Sequence, residues 1–291
     1  MEITTLATIT GNLGGWIVKG MVKVGALRAG LAKKTVSVDG YTIHYYEGGK
    51  GPPLVLLHGL ADDKSSFVGA AAKLTGRFRV ILPDLPGHGD NARDGGRDYS
   101  ILGQVRNLQA FFGAMGLTRF HLGGNSMGGH ISLAYAIHHP DRVEKLILLN
   151  APGFQVDDHE VYTGFGHHIE TKTAFHTQVI DRVYYRRPKL PSPVVEYLIA
   201  HINREMDFIN AMVRALKDGK DFILNDRVAG VQSRTLVLWG RHDVVVKPQV
   251  AEAYRDRIPN ASLVWLENTA HSPQLEVADE VAEKISAFLA A

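Results

Sequence analysis

A serine framed by glycines is the first place in this 291-residue chain where chemistry can be read. Gly124-Asn125-Ser126-Met127-Gly128 is a G-x-S-x-G motif between an apolar run, Phe120-His-Leu122, and a helical stretch, Met127 to His139. A sharp strand-to-helix turn there exposes the Ser126 hydroxyl, and small residues at Gly124 and Gly128 let the crossing backbones approach. The helix start behind the serine favours negative charge developing nearby. A serine hydroxyl becomes a nucleophile only beside a base, and the base needs an orienting acid. His271, in the loop after Leu263-Val-Trp-Leu266, is the candidate base. Asp243, just past Thr235-Leu-Val-Leu-Trp239, is the candidate acid, with Asp226 as the fallback. Ser126, Asp243 and His271 each fall at the carboxyl end of a different strand, where ligands bind in open α/β sheets. Attack on an ester carbonyl makes an oxyanion that needs fixed donors. The N–H of Met127 is one candidate, and the N–H of Leu60, in His58-Gly59-Leu60 after strand Leu54-Val-Leu-Leu57, is the second.

These residues need a sheet to hold them, and the hydropathy pattern supplies one. Period-two runs around Asp39-Gly40 predict a hairpin. Short apolar strands at 54–57, 79–82, 120–122 and 145–149 alternate with helical patterns near 66–74, 99–115 and 127–139. Such alternation implies a parallel sheet covered on both faces. It stops at residue 154 and resumes with strand 235–239, helix 248–258, strand 263–266 and helix 277–289. Residues 154–225 therefore read as a helical cap inserted into an α/β core made of 35–153 and 226–291. In the cap, Ser192-Pro193 and Asn203 have the form of helix starts. Its aromatic residues Phe154, Tyr162, Phe165, Phe175, Tyr184, Tyr185, Tyr197 and Phe208 suit an acyl pocket or core packing. Its histidines, His159, His167, His168, His176 and His201, have no acidic partner at a clear ligand spacing, so no metal is expected.

Composition bounds the rest. The chain is 45% apolar and 21% charged, ordinary for a globular protein, and has no cysteine. That excludes disulfides and zinc–thiolate sites while fitting either redox compartment. The formal net charge of +2 is uneven: residues 1–35 carry Lys19, Lys23, Arg28, Lys33 and Lys34 against Glu2, a net of +4, which leaves −2 for the body. A slightly acidic body argues against nucleic-acid binding. In the head, Leu6, Ile9, Leu13, Ile17, Gly20, Val24, Leu27 and Leu31 recur at helical spacing on one face, with the lysines beside them. Residues 1–34 thus predict an amphipathic helical segment suited to peripheral contact with a membrane, despite six glycines. Packing on its own domain and dimerisation are the other uses weighed. The segment is a poor membrane span, because Ile3 to Val18, its longest uncharged run, is short and rich in Thr and Gly.

His58-Gly59, Asp84-Leu-Pro-Gly-His-Gly89, Gly124-Asn-Ser-Met-Gly128, Gly240-Arg-His-Asp243 and His271 together resemble the α/β-hydrolase family over residues 35–291. The resemblance implies an eight-stranded, mostly parallel sheet with a helical cap between strands six and seven. It implies Ser126 as nucleophile, His271 as base, Asp243 as acid and no cofactor. The stretch Gly123-Gly-Asn-Ser-Met-Gly-Gly129, the Asn150-Ala-Pro-Gly-Phe154 strand exit and the apolar head are similar to the monoacylglycerol-lipase-like group, with its bacterial lipases and phospholipases A. That implies a serine esterase or lipase acting on lipid-like esters, cytoplasmic or peripheral at a membrane. Carbon–carbon bond hydrolases of meta-cleavage products are the alternative, but they carry a Trp after the catalytic His, where this chain has Ser272. A ligand receptor on the same fold is the third reading.

Overall fold

The computed structural model describes the backbone from residue 2 and side chains from residue 12, apart from residues 158–160 and 163–166. His159 and Phe165 of the predicted cap and the side chains of Leu6 and Ile9 lie outside the described residues. The chain begins with helix α1 (Glu2–Arg28), followed by β1 (Leu31–Val38), β2 (Tyr41–Gly48) and β3 (Pro53–Leu57). Next come α2 (Val68–Leu74), β4 (Arg79–Pro83), α3 (Ile101–Ala114), β5 (Phe120–Asn125), α4 (Met127–His138) and β6 (Val143–Leu149). Helices α5 (Lys172–Phe175), α6 (Asp181–Val183) and α7 (Ser192–Asp218) stand between β6 and β7 (Arg234–Gly240), with a π-helical turn at His176–Ile180. The chain ends with α8 (Pro248–Arg257), β8 (Ala261–Leu266), α9 (Pro273–Glu276) and α10 (Ala278–Ala290).

The eight strands form one sheet in the order β1-β2-β4-β3-β5-β6-β7-β8. Pairing is antiparallel at β1–β2 and β2–β4 and parallel from β4 to β8. The predicted hairpin forms with Val38 opposite Tyr41, and Asp39 and Gly40 both adopt positive φ (49° and 75°). That is the geometry a two-residue hairpin turn demands. The continuous apolar runs are explained by two cores. Leu54, Leu56, Val80, Leu82, Ile147, Leu149, Leu236 and Leu238 face α2 and α10. Their alternates Val55, Leu57, Ile81, Leu146, Leu148, Val237 and Trp239 face α3, α4 and α8. With both faces covered, a strand has no polar side to show. Among the described cap residues, Ile169, Phe175, Ile180 and Val195 form a small core of their own.

The head differs from expectation in two ways. Its helix ends at Arg28, and residues 31–34 belong to strand β1 rather than to a 1–34 segment. Lys33 and Lys34 therefore leave the helix and pair with Asp90 (3.0 Å) and Glu47 (2.6 Å). The glycines are also not a weakness of α1. Gly14 and Gly15 are its docking surface: a Cβ on Gly14 would lie 1.9 Å from the Pro193 carbonyl oxygen, and one on Gly15 would lie 2.9 Å from the Tyr197 ring. Missing side chains let the two helices α1 and α7 meet backbone to backbone. Ala26 and Ala29 continue the same face into the core. The predicted apolar face consequently points away from the body. Leu13, Val24 and Leu27 on that face, and Trp16 and Met21 at its margin, are all exposed.

One predicted helix start holds without its cap, and the other does not form. Helix α7 begins at Ser192 with Pro193 in its first turn, but no side chain caps it, and the Ser192 hydroxyl accepts from Lys172 instead. Asn203 sits inside α7, where its amide bonds both backbone groups of Ile169, at 2.7 and 2.9 Å. It ties the cap's first segment to its long helix and starts nothing.

Candidate active site

Strand β5 runs to Asn125, three residues beyond the predicted Leu122, so the G-x-S-x-G motif turns at its very end. Ser126 takes φ 52° and ψ −123°, a conformation that L residues avoid and functional turns tolerate. Its N–H bonds the Leu149 carbonyl at 2.9 Å and its carbonyl accepts from His130, so sheet and helix hold the strained residue from both sides. The flanking glycines answer to contacts. A Cβ on Gly128 would lie 2.3 Å from the Leu57 carbonyl oxygen, and one on Gly124 would lie 2.5 Å from the Gly128 carbonyl carbon.

His271 and Asp243 meet. The Nδ1 of His271 lies 2.9 Å from Oδ2 of Asp243, both buried at the carboxyl ends of β7 and β8. The other Asp243 oxygen accepts from the N–H groups of Val245 (2.8 Å) and Val246 (3.0 Å). A fourth donor is Asn150, whose Nδ2 lies 2.6 Å from Oδ2. The Asn150 carbonyl oxygen accepts from Gly240 N at 3.2 Å, which fixes which end of the amide faces the carboxylate. Asp226 is exposed and is not the partner of His271. The serine side is tied in through its neighbour. Asn125 Nδ2 donates to the His271 carbonyl at 2.9 Å, and Gln274 Nε2 donates to Asn125 Oδ1 at 3.1 Å. Ser126 and His271 are only 8% and 6% exposed.

The loop after β3 lies against the serine. A Cβ on Gly59 would be 3.3 Å from Ser126 Cβ, so Leu60 follows at the edge of the same space. Met127 opens α4, where an N–H has no partner within the helix. His58 shapes this loop. Its Nε2 accepts from Leu85 N (2.9 Å), which leaves Nδ1 to donate to the Gly59 carbonyl (2.8 Å). Burial pushes its pKa down to about 4, so it is a neutral structural ring, packed edge-to-face on His88. The Asp84 to Gly89 turn is pinned by a buried lysine. Lys64 Nζ meets Asp84 at 2.6 Å and Asp90 at 2.5 Å. Burial would raise the Asp90 pKa, but Lys64 and Lys33 hold it down to about 2.

Sequence reasoning named the serine, acid and base but not their mounts, Asn150, Asn125, Gln274 and Lys64. Asn150 had a usable signal, because it too ends an apolar strand, β6, beside the two that carry Asp243 and His271. Lys64 had none, since a lysine in a loop reads as solvated. Among the described residues no group of three His, Asp or Glu side chains is placed to hold a metal ion.

A strained serine at a strand–helix turn, next to an asparagine that bonds the backbone of a histidine paired with a buried aspartate, makes a candidate hydrolase site on an eight-stranded α/β sheet. Residues 54–284 match the Alpha/beta hydrolase family, and the chain belongs to it. It is 31% identical to Lipase 1 of Psychrobacter immobilis over 88% of this chain and 83% of that one. It is likewise 31% identical to a crystal structure of a membrane phospholipase A described as a bacterial virulence factor, with TM-score 0.88 over 99% of this chain and 96% of that one. A meta-cleavage product hydrolase from Pseudomonas fluorescens IP01 shares the fold at 21% identity and TM-score 0.76, over 88% and 97% of the two chains.

Proposed function

We propose that the chain is a serine carboxylic-ester hydrolase acting on lipid-like acyl esters, with monoacylglycerols and phospholipids as its substrate classes. The observation that carries this reading is the Asp243–His271 pair at 2.9 Å, tied to Asn125, the residue next to Ser126. Ser126 Oγ attacks the ester carbonyl while His271 Nε2 takes its proton. The Met127 and Leu60 N–H groups face the oxyanion of the tetrahedral intermediate. His271 then gives its proton to the leaving alcohol, and water, deprotonated by the same ring, releases the acid from the acyl-enzyme. Asp243 holds the ring and faces the positive charge it acquires. The lipid preference is supported by the lipase and phospholipase A relatives.

An ester panel against a ring-cleavage dienoate tests this. The expected result is a kcat/KM on medium-chain p-nitrophenyl esters, monoacylglycerol or phospholipid at least about 100-fold above that on the dienoate. Preference for the dienoate overturns the ester reading. Fluorophosphonate labelling without turnover on any ester points to a receptor.

The same reading gives α1 a use. Trp16 is 79% exposed, and Leu13, Val24 and Leu27 extend its stripe, with Lys19 and Lys23 alongside. An apolar stripe with basic flanks suits the interface of an anionic membrane. Among the described residues no helix is long and apolar enough to cross one. Binding to anionic vesicles is expected to weaken at high salt and to fall about tenfold or more in Trp16→Glu/Leu27→Glu. These exposed positions are a cleaner test than deleting residues 1–34, which removes part of strand β1. Equal vesicle binding by parent and double variant overturns the membrane role.

A further inference from the structure

The loop that carries His271 is fastened from several directions. The Asn125 amide holds the His271 carbonyl, and the Asn150 amide holds the Ala270 carbonyl at 3.2 Å. The Ser272 N–H donates to the Val183 carbonyl at 3.1 Å, and Val183 ends α6 in the segment between β6 and β7. The Ala270 N–H donates to Glu276 Oε1 at 2.8 Å. The other oxygen of that carboxylate, Oε2, accepts from Tyr185 N at 2.7 Å. Glu276 therefore spans two pieces of chain, with one oxygen on the residue before the base and the other on the cap segment that also holds the residue after it. The Tyr185 ring lies stacked on His242, 4.5 Å away and one residue before Asp243.

We infer that Glu276 is a positioning residue for His271, and that it works by strapping cap residues 183–185 to the base's loop. Placing a carboxylate here has a cost. Glu276 is half-buried, burial raises its pKa, and only the backbone N–H groups of Ala270, Tyr185 and Arg186 offset this. A half-buried anion accepting from two separate stretches of backbone fixes their relative position better than a flexible contact would. The imidazole must hold its place to within a fraction of an ångström, because a 1 Å displacement of a catalytic group costs about 100-fold in rate. The cap segment is on this view part of the catalytic mount, not a cover alone. The inference rests on the ester-hydrolase reading, and the parent enzyme's own turnover tests that reading separately.

The experiment compares the full chain with Glu276→Gln and Arg187→Ala. The glutamine keeps the length but has one acceptor oxygen, and its NH2 must face backbone N–H groups on one side or the other. Arg187→Ala removes an exposed ion pair of the cap, Arg187 to Asp181 at 2.6 Å, and leaves the bonds of Glu276 in place. Glu276→Gln is expected to lower kcat on a p-nitrophenyl ester about tenfold or more. KM stays within twofold, fluorophosphonate labelling slows in parallel, and Tm moves by only a few degrees. Arg187→Ala is expected to keep kcat within about threefold of the parent. A Glu276→Gln kcat within twofold of the parent overturns the inference. So does an equal loss of kcat in Arg187→Ala, which would make general loosening of the cap the cause.

Discussion

Ser126→Ala is expected to lower kcat on a p-nitrophenyl ester by about 10⁴-fold or more and to abolish fluorophosphonate labelling, with Tm unchanged within a few degrees. The chemical half of this follows from the absence of any other route through the acyl-enzyme: without Oγ, His271 can at best activate water, and what remains is ordering and oxyanion binding. The structural half follows from how residue 126 is held. Its conformation is fixed by backbone bonds, from its N–H to Leu149 and from His130 to its carbonyl, and these survive loss of the hydroxyl. Alanine must also adopt φ 52°, but serine already carries that strain. Steady-state kinetics and a thermal melt on one preparation separate the halves. Residual ester turnover above about 1% of the parent would remove Ser126 from the proposed role.

The sheet was legible in the sequence because both its faces are covered. A strand buried on two sides must be apolar throughout, and Leu54-Val-Leu-Leu57 and Thr235-Leu-Val-Leu-Trp239 could not be mistaken. The candidate site followed from the same pattern, since Ser126, Asp243 and His271 each stand within a few residues of the end of such a strand. What sequence could not give was the direction of a helix face. In α1 the apolar residues and the small residues both repeat at helical spacing, and hydropathy alone leaves membrane contact, self-packing and dimerisation open for the apolar face. The structure turns the small residues inward, because a glycine face can approach α7 to a distance that a leucine face cannot. The polar mounts were hidden for a different reason. Asn150 and Glu276 act through hydrogen bonds to distant segments, and no local periodicity marks a residue whose partner lies some 90 positions away.

Asp243→Asn is expected to be nearly as damaging as loss of the serine, about 10⁴-fold in kcat, although it changes one atom. The reason lies in the four donors that surround the carboxylate. Oδ1 accepts from the Val245 and Val246 N–H groups, and Oδ2 from Asn150 Nδ2 and His271 Nδ1. No acceptor faces either oxygen in this set, so an amide has no comfortable orientation. With its NH2 toward the two backbone N–H groups, it meets donors that cannot turn away. With its NH2 toward His271, it requires Nδ1 to become an acceptor, which moves the ring proton to Nε2. A ring protonated at Nε2 cannot take the proton from Ser126. Asn150 cannot relieve the conflict by flipping, because its oxygen is committed to the Gly240 N–H. Asn150→Ala removes one donor of the four and leaves the tautomer alone, so its kcat is expected to fall only about tenfold. The ratio between the two variants, measured on one ester at one pH, separates loss of orientation from loss of the correct tautomer. Equal losses would mean that Asp243 acts only by holding the ring in place.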